Sequence, residues 1–427
     1  MKRCVPKPCD DAQRWLDCLK AGVFAAGLLV GCGKSPPQYL DGVVYPEPTY
    51  KPGMTYYKDV LAITQTACQS CHVQGGVGPF PLSSYADAQK NHVQMAAASQ
   101  ARRMPPWMPS DDCQSFKDAR ALSQEQIDTL YSWSKDNAPE GNPADAPPPP
   151  MGMGQTLVGP YTELDIGGEY TPVTTDDYRC FVLDPKRTVD SDLTGHEFIA
   201  GVRAEVHHVL VYSGSLAELQ AKDQAGAGLG YTCYGGPGIA SPQLVAAWVP
   251  GSSATLYPSG TGIPIKAGAG LVMQIHYNTL NAKQPDRSKI RLQFAAMRVP
   301  RPALLTSLAE NTFRIPAGAV DYSASNSLTT PSNVTLWGVA PHLHQLGKRA
   351  KIEALPPGGN SQCLIDIPRW DFHWQQLYMY DAPTGISVAK GTKITFTCTW
   401  DNPTSNTIRW GEATTDEMCI NYFYVTQ

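Results

Sequence analysis

The fold of most of the chain is indicated by the stretch Glu205-Val206-His207-His208-Val209-Leu210-Val211-Tyr212, a short run rich in β-forming residues. Similar runs, separated by Gly, Pro and Asn, recur at residues 198–202, 271–277 and 393–398. Many short strands at such spacing favour two β-sandwiches. We place the boundary between them at residues 298 and 299, because the prolines of Val299-Pro300-Arg301-Pro302 end a strand. The predicted sandwiches are residues 158–298 and 299–427.

The part of the chain before residue 158 has a different character. Proline-rich stretches at residues 32–53 and 141–157 are predicted to be a tether and a Pro/Gly linker. Between them, residues 54–140 carry helical signals, including a capping box formed by Ser123 and Gln126 ahead of an amphipathic run. The predicted fold class is therefore multidomain: a small all-α domain followed by two all-β jelly-roll or β-sandwich domains.

The N-terminus has the features of an export signal. Basic residues precede the apolar run 21–30, so residues 1–31 are predicted to be a signal peptide. The run ends in Leu29-Val30-Gly31-Cys32, which resembles a lipoprotein signal and predicts a lipid-anchored periplasmic or outer-membrane protein attached to the membrane at Cys32. Ordinary cleavage nearby is the alternative. A net charge of -4 with 17% charged residues gives no basic surface for nucleic acid, so we expect no nucleic-acid partner.

A second motif lies in the predicted helical domain. Cys68-Gln69-Ser70-Cys71-His72 is a c-type haem attachment sequence, in which Cys68 and Cys71 form thioethers and His72 becomes the proximal iron ligand. A redox or zinc-binding C-x-x-C is the rival interpretation. Met95, Met104 and Met108 are candidates for the distal ligand. We choose Met104, because its segment resembles the distal-ligand loop of bacterial cytochrome c domains, and keep Met108 as the alternative.

The histidines give the sharpest signal in the β region. His342 and His344 are two residues apart, so their side chains share one face of a strand. His207 and His208 are adjacent and would point to opposite faces unless a bulge or a strand end intervenes. Together with His276 they favour a late first-row metal, copper or zinc, with buried structural histidines as the alternative for the adjacent pair.

Four motifs occur in order: the stretch at 205–212, Gln274-Ile275-His276-Tyr277, His342-Leu343-His344-Gln345-Leu346-Gly347-Lys348 and Asp416-Glu417-Met418-Cys419. Over most of residues 165–427 the chain resembles the copper type II, ascorbate-dependent monooxygenase family. The resemblance implies two β-sandwich domains, each holding one copper ion across a solvent-filled cleft. It also implies disulfides Cys180–Cys233 and Cys398–Cys419, and leaves Cys113 and Cys363 either paired across domains or free.

The same resemblance implies a role for each motif. His207, His208 and His276 would bind the copper ion that stores and relays an electron. His342, His344 and Met418 would form the catalytic centre, binding the copper ion that activates dioxygen, and Tyr422 would line the substrate pocket. The sequence departs from the peptide-amidating member at two positions, where Ala340 replaces an arginine that clamps a carboxylate and Ile420 replaces an asparagine.

We therefore expect a copper-dependent monooxygenase that hydroxylates a C–H bond of a small-molecule or peptide substrate with dioxygen. Two copper ions and one covalently bound haem c would be its cofactors. The haem c would relay electrons from ascorbate or another cytochrome, with the linker holding it near the copper sites. A non-catalytic copper-binding or electron-transfer lipoprotein is the alternative. Zinc hydrolysis fits less well, because zinc sites rarely include methionine.

Overall fold

The computed structural model describes residues 45–427 except 77, 149–155, 251, 253, 280, 281 and 412–414. The predicted signal peptide and the predicted lipid attachment at Cys32 lie outside the described residues. Among the helices of the described part of the chain, none is long and apolar enough to cross a bilayer.

The first folded unit is helical. Helix α1 covers residues 56–68 and combines π-helical turns at Tyr56–Val60 and Thr64–Cys68 with an α-helical turn at Leu61–Ile63. It is followed by α2 (Tyr85–Lys90), α3 (His92–Gln100), α4 (Gln124–Lys135) and a 3-10 turn at Pro143–Asp145.

Helix α4 begins at the predicted capping box. The hydroxyl of Ser123 accepts a hydrogen bond from the Gln126 amide, and the Gln126 side chain accepts one from the Ser123 amide. The apolar face of the helix buries Ile127 and Trp133 against Tyr56, which confirms the predicted amphipathic helix. This face forms the core of the helical unit.

The rest of the chain is β structure. The first group of strands is β1 (Thr162–Asp165), β2 (Asp176–Leu183), β3 (Ser191–Ile199), β4 (Val206–Ser215), β5 (Tyr231–Thr232), β6 (Gln243–Trp248), β7 (Thr255–Leu256), β8 (Thr261–Ile265), β9 (Ala269–Asn278) and β10 (Lys289–Phe294), with helix α5 at Leu216–Ala225.

The second group is β11 (Arg301–Ala309), β12 (Arg314–Ile315), β13 (Tyr322–Thr329), β14 (Val334–His342), β15 (Gly347–Leu355), β16 (Gln362–Ile367), β17 (Tyr378–Met379), β18 (Ile386–Val388), β19 (Lys393–Trp400), β20 (Ile408–Arg409) and β21 (Ile420–Thr426), with a 3-10 turn at Phe372–Trp374.

Two layers of sheet enclose each β core. A five-stranded sheet in the order β5-β2-β9-β4-β6 packs its apolar side chains, such as Met273 and Val211, against Leu193 and Ile290 of a large ten-stranded sheet. A four-stranded sheet in the order β13-β19-β15-β16 packs Phe396 against the other half of the same large sheet. The alternation of apolar and polar residues produces these sandwiches, because side chains alternate across each strand.

The large sheet continues from the first sandwich into the second. Eight of its strands follow the order β1-β10-β3-β8-β11-β21-β14-β17, while β7 pairs with β3 and β18 with β14. The two halves meet where β8 and β11 pair in parallel through Arg301–Thr261 and Pro302–Gly262. The prolines predicted to end a strand therefore lie beside and within the start of β11, where a missing amide is tolerated. Across the same junction Tyr257 stacks on Tyr424, with ring centroids 4.8 Å apart.

Three disulfides connect six of the eight cysteines that the structure describes. Cys180–Cys233 and Cys398–Cys419 are the pairs that the resemblance implied. The third, Cys113–Cys363, joins the segment that precedes α4 to strand β16. Disulfides of this kind are typical of proteins in oxidising compartments.

The segment 105–120 packs differently from what the sequence predicts. It falls within the predicted cytochrome c domain, but its Met108 and Phe116 belong to the core of the second sandwich. Phe116 forms a β-bridge with Tyr380 and stacks on its ring. The helical unit is therefore held to the second sandwich by this segment and by a disulfide, in addition to the linker that the sequence indicates.

We expect replacement of both Cys113 and Cys363 by serine to lower the free energy of unfolding by about 2–5 kcal/mol, because the cross-link restricts the unfolded chain. Denaturant-induced unfolding followed by tryptophan fluorescence measures this change. Limited proteolysis should also cut residues 105–120 earlier in the double variant. An unchanged unfolding midpoint would show that the disulfide does not stabilise the docked segment.

Candidate metal centres

The first histidine cluster lies on β4 and β9. Val206 pairs with Tyr277 and His208 pairs with His276, so the register shifts at His207 and leaves a β-bulge there. The bulge turns two adjacent rings toward one site, as joint ligation requires. One ring nitrogen from each of His207, His208 and His276 lies within 4.8 Å of the other two. This arrangement could hold a metal ion.

The surroundings of His276 leave one of its nitrogens available. Its Nε2 lies 3.0 Å from Oδ1 of Asp176, and its ring stacks on Tyr178 with centroids 4.1 Å apart. Its Nδ1 is buried and makes no hydrogen bond within the described chain. Because a buried polar atom without a partner is costly, a bound ion would satisfy this nitrogen.

The rings of His207 and His208 approach each other through their Nδ1 atoms, which are 3.2 Å apart. Burial lowers the pKa of His208 well below its usual range, and the neighbouring rings of His276, His207 and His342 lower it further. The neutral imidazole is the form that binds a metal ion, so this environment suits a ligand.

The second cluster lies at the end of β14. Leu343 is buried in the core of the second sandwich, while His342 and His344 point the other way with ring centroids 5.2 Å apart. Nδ1 of His342 lies 2.5 Å from Oε1 of Gln375, and Nδ1 of His344 lies 3.1 Å from the carbonyl oxygen of Asp416. Because these oxygens only accept, Nδ1 of each ring donates, and Nε2 is the atom through which each ring would bind a metal ion.

Two further features characterise this cluster. Burial lowers the pKa of His342 to about 3, the adjacent His344 adds to the effect, and the hydrogen bond to Gln375 opposes it. The predicted thioether ligand, Met418, is buried and follows Asp416 and Glu417, which both contact the His344 segment. The donor set of two imidazoles and one thioether fits a copper ion.

Glu417 holds the two halves of the second cluster together. Its buried carboxylate accepts hydrogen bonds from the amides of His344 (3.0 Å) and Leu346 (2.6 Å) and from Nε1 of Trp400 (2.8 Å). Burial raises its pKa to about 7, although these donors lower it in part. The sequence did not predict a role for Glu417. The signal that could have indicated one is its position directly before a predicted ligand, Met418.

Phe372 lies between the two clusters. Its ring centroid is 6.2 Å from that of His207 and 6.0 Å from that of His344. The sequence alone does not predict that this residue belongs to the site. The clusters therefore share a neighbour, which comes from the loop between β16 and β17.

The predicted pocket residue Tyr422 lies on β21, opposite Ala340 of β14 and Ser307 of β11. It lines a cavity of about 590 Å³ between the sandwiches, together with Tyr212 and Gln243 of the first sandwich. None of the side chains that line this cavity is charged. Side chains alternate along a strand, so Ala340 and His342 lie on the same face of β14. Tyr422 pairs directly with Ala340 and therefore lies on that same face of the sheet.

The C-x-x-C-H motif lies at the end of α1. Cys68 is the last residue of that helix, and the thiols of Cys68 and Cys71 do not form a disulfide. Burial raises the pKa of the Cys68 thiol to about 12. Nδ1 of His72 lies 2.9 Å from the carbonyl oxygen of Phe80, which leaves Nε2 for an axial bond. A Cβ atom at Gly78 would lie 2.7 Å from the same Nδ1, so only glycine fits against the ring.

The three candidate methionines have different surroundings. Met95 is buried in the helical core. Met108 is buried in the core of the second sandwich, and its Sδ accepts a hydrogen bond of 3.1 Å from the Asp371 amide. Met104 is 37% exposed and precedes a cis peptide bond to Pro105. Met108 thus packs in the core of the second sandwich, and Met104 stays the predicted distal ligand.

Comparison with known proteins relates the β region to copper enzymes. Residues 312–426 match the family model described as the C-terminal domain of copper type II ascorbate-dependent monooxygenase. The chain is 23% identical to dopamine beta-hydroxylase of Rattus norvegicus over 284 residues, which cover 59% of this chain and 44% of that protein. It is 25% identical to tyramine beta-hydroxylase of Caenorhabditis briggsae over 209 residues, covering 43% of this chain and 34% of that protein. The chain thus spans less than half the length of either hydroxylase.

A solved structure, the major capsid protein P2 from bacteriophage PM2, aligns with a TM-score of 0.28 and 8% identity, covering 62% of this chain and 97% of that one. At that score the likeness carries no argument. The sequence comparisons relate the second sandwich, and at low identity a longer part of the chain, to copper-dependent monooxygenases.

We expect Glu417→Ala to lower the free energy of unfolding by about 3 kcal/mol or more, since each buried donor left without an acceptor costs about 1–3 kcal/mol. Denaturant unfolding measures the loss. Glu353→Ala on β15, whose side chain is 44% exposed, is the control and should cost far less. Equal stability of the two variants would show that Glu417 does not hold the His344 segment.

Proposed function

We propose that the chain is a copper-dependent monooxygenase that hydroxylates a C–H bond of an organic substrate, with electrons supplied through a haem c on the helical unit. The observation that carries this proposal is the pair of different histidine clusters: three imidazoles in one, and in the other two imidazoles, of which His344 is contacted by Asp416 and Glu417, the residues directly before the buried Met418. A simple copper carrier needs one site, whereas an enzyme that receives electrons singly and activates dioxygen needs two.

In this proposal each residue has a distinct task. His207, His208 and His276 hold the electron-storing copper ion, and Asp176 orients His276 through Nε2. His342, His344 and Met418 hold the second copper ion. When bound, copper at that site supplies the chemistry that activates dioxygen. Gln375 and the Asp416 carbonyl fix the orientation of the two rings, which would bind the ion through Nε2.

The substrate is proposed to enter the cavity lined by Tyr422 between the sandwiches. The absence of charged side chains from its lining and the alanine at position 340 favour an uncharged small molecule over a peptide with a free carboxylate. Tyr422, Tyr212 and Gln243 would supply hydrogen bonds and apolar surface to orient the substrate.

The helical unit is proposed to hold one haem c. Cys68 and Cys71 would form the thioethers, His72 would be the proximal ligand, and Met104 the distal ligand. The hydrogen bond from His72 Nδ1 to Phe80 supports this role, because it fixes the ring with Nε2 free. Ascorbate or another cytochrome would reduce the haem. We also propose that the protein is exported and anchored to a membrane through Cys32, and the three disulfides support export.

The copper sites are tested by single substitutions in each cluster. We expect His276→Ala and His342→Ala each to lower bound copper from two ions to one per chain and to abolish oxygen consumption with reductant and substrate, because each removes a ligand from a different site. Metal analysis and an oxygen electrode give the two readings. His92→Asn in the helical unit is the control and should retain both ions. Copper retention without oxygen consumption across uncharged metabolites would favour a non-catalytic copper protein.

The haem site is tested by replacing Cys68 and Cys71 with alanine. We expect the double variant to lose covalently bound haem, because the thioether bonds cannot form. Haem staining of a denaturing gel after expression with cytochrome c maturation factors measures this loss. The Cys113→Ser, Cys363→Ser double variant is the matched control and should keep its haem. Absence of covalent haem from the unsubstituted chain would contradict the haem proposal.

A further inference from the structure

The loop between β16 and β17 connects the helical unit to the metal centres, and we call its residues 369–376 the connector. At its start, the Arg369 guanidinium donates hydrogen bonds to the carbonyl oxygens of Ala101 (3.3 Å) and Arg102. Two residues further on, the Asp371 amide donates to Sδ of Met108. The connector therefore contacts the chain on both sides of Met104.

The middle of the connector reaches both histidine clusters. The Nε1–H of Trp370 donates to the carbonyl oxygen of His344 at 3.2 Å. The ring of Phe372 lies between His207 and His344, as described above. A Cβ atom at Gly347 would lie 2.6 Å from the Trp370 ring, so glycine permits the close packing that keeps this indole beside the second cluster.

Further contacts at the two ends of the connector hold the helical unit and the second sandwich in one position. Cys113–Cys363 lies just before it in the chain, and the β-bridge between Phe116 and Tyr380 lies just after it. Arg120 donates to Oε1 of Gln376 at 2.7 Å. Because these contacts flank the connector at both ends, they fix its position against both the helical unit and the two histidine clusters.

We propose that residues 369–372 are the route by which electrons pass from the helical unit to the copper centres, with Trp370 leading to His344 and Phe372 linking His344 with His207. The inference rests on the proposed function, because it needs haem and copper to be bound. In each step one electron leaves a ferrous haem, which becomes ferric, and one cupric ion becomes cuprous. Each step transfers only an electron, and no covalent bond to hydrogen or carbon forms or breaks.

The physical reason is the distance dependence of electron transfer. Tunnelling through a protein slows steeply with separation, and it proceeds faster through covalent bonds, hydrogen bonds and packed aromatic rings than across gaps. The connector supplies covalent backbone from Arg369 to Phe372, one hydrogen bond to the second cluster and ring contacts to both. Phe372 also gives the two clusters a common ring neighbour.

The test follows electron transfer without turnover. The haem- and copper-loaded chain, fully oxidised and free of oxygen, receives one electron at the haem from a photoreductant. Decay of the ferrous haem absorbance and loss of the cupric electron paramagnetic resonance signal then report the transfer. The variants are Phe372→Leu and Trp370→Phe, which keep apolar bulk at each position. Phe294→Leu, a half-buried ring on β10 of the first sandwich, is the control.

We expect Phe372→Leu to slow reduction of at least one copper ion by roughly tenfold, equivalent to about 1.4 kcal/mol in activation free energy, while the control transfers at the unsubstituted rate. Slowing in Trp370→Phe, which loses the indole N–H, would support the route to His344 even if Phe372→Leu folds poorly. An unchanged rate of electron transfer in both variants, with haem and copper contents intact, would overturn this inference and leave the proposed function standing. A chain that holds no haem, or whose haem never reduces copper, would overturn it together with the proposed relay.

Discussion

The parallel pairing of β8 with β11 is the constraint on which the arrangement of the β region depends. It makes one sheet serve both sandwiches, so the two halves share a continuous set of backbone hydrogen bonds. The stacked rings of Tyr257 and Tyr424 and the 2.9 Å contact between the hydroxyls of Thr261 and Tyr424 bury the same junction. The second histidine cluster lies on β14 of this shared sheet, and the first lies on β4 and β9 of the five-stranded sheet packed against it. Close packing between the two sheets therefore limits movement of one cluster relative to the other.

Within that frame, the buried histidines are oriented by one rule. A buried imidazole has two polar nitrogens, and each needs a partner. In His276, His342 and His344 the protein satisfies one nitrogen through Asp176, Gln375 and the Asp416 carbonyl, respectively. The other nitrogen of each ring is the one through which it would bind a metal ion. The ring orientation is thus fixed by acceptors that lie outside the clusters, which is why residues far apart in sequence act together at each centre.

The parts of this structure that could be predicted from sequence are those governed by local periodicity. The capping box of α4, the strand runs at 208–212, 271–277 and 393–398, and the need for a bulge at the adjacent histidines are all local, and each is present. The run at 198–202 was predicted less well, because β3 ends at Ile199 and only the first two residues of the run lie in a strand. The disulfides Cys180–Cys233 and Cys398–Cys419 were implied by the resemblance alone. The assignment of individual ligands to copper or haem stays a prediction.

The parts that sequence could not give depend on contacts between distant segments. The shared sheet requires knowing that β8 meets β11, and Phe372 enters the site only because its loop folds back between the sandwiches. Glu417 is recognisable as structural only when its three donors are in place. Cys113 lies among helices but pairs with β16, which periodicity within the helical unit cannot indicate.

The Cys113–Cys363 pair also sets an order of events during biogenesis. Its two members are separated by 250 residues, so the first emerges during synthesis long before the second. During that interval its thiol shares a short segment of chain with the thiols of Cys68 and Cys71. A thiolate attacks any disulfide within reach and exchanges with it, and thiols held close together are joined when an oxidant removes two electrons. Capture of Cys68 and Cys71 in thioether bonds would remove two competing thiols, and pairing of Cys180 with Cys233 would remove the two that emerge before Cys363.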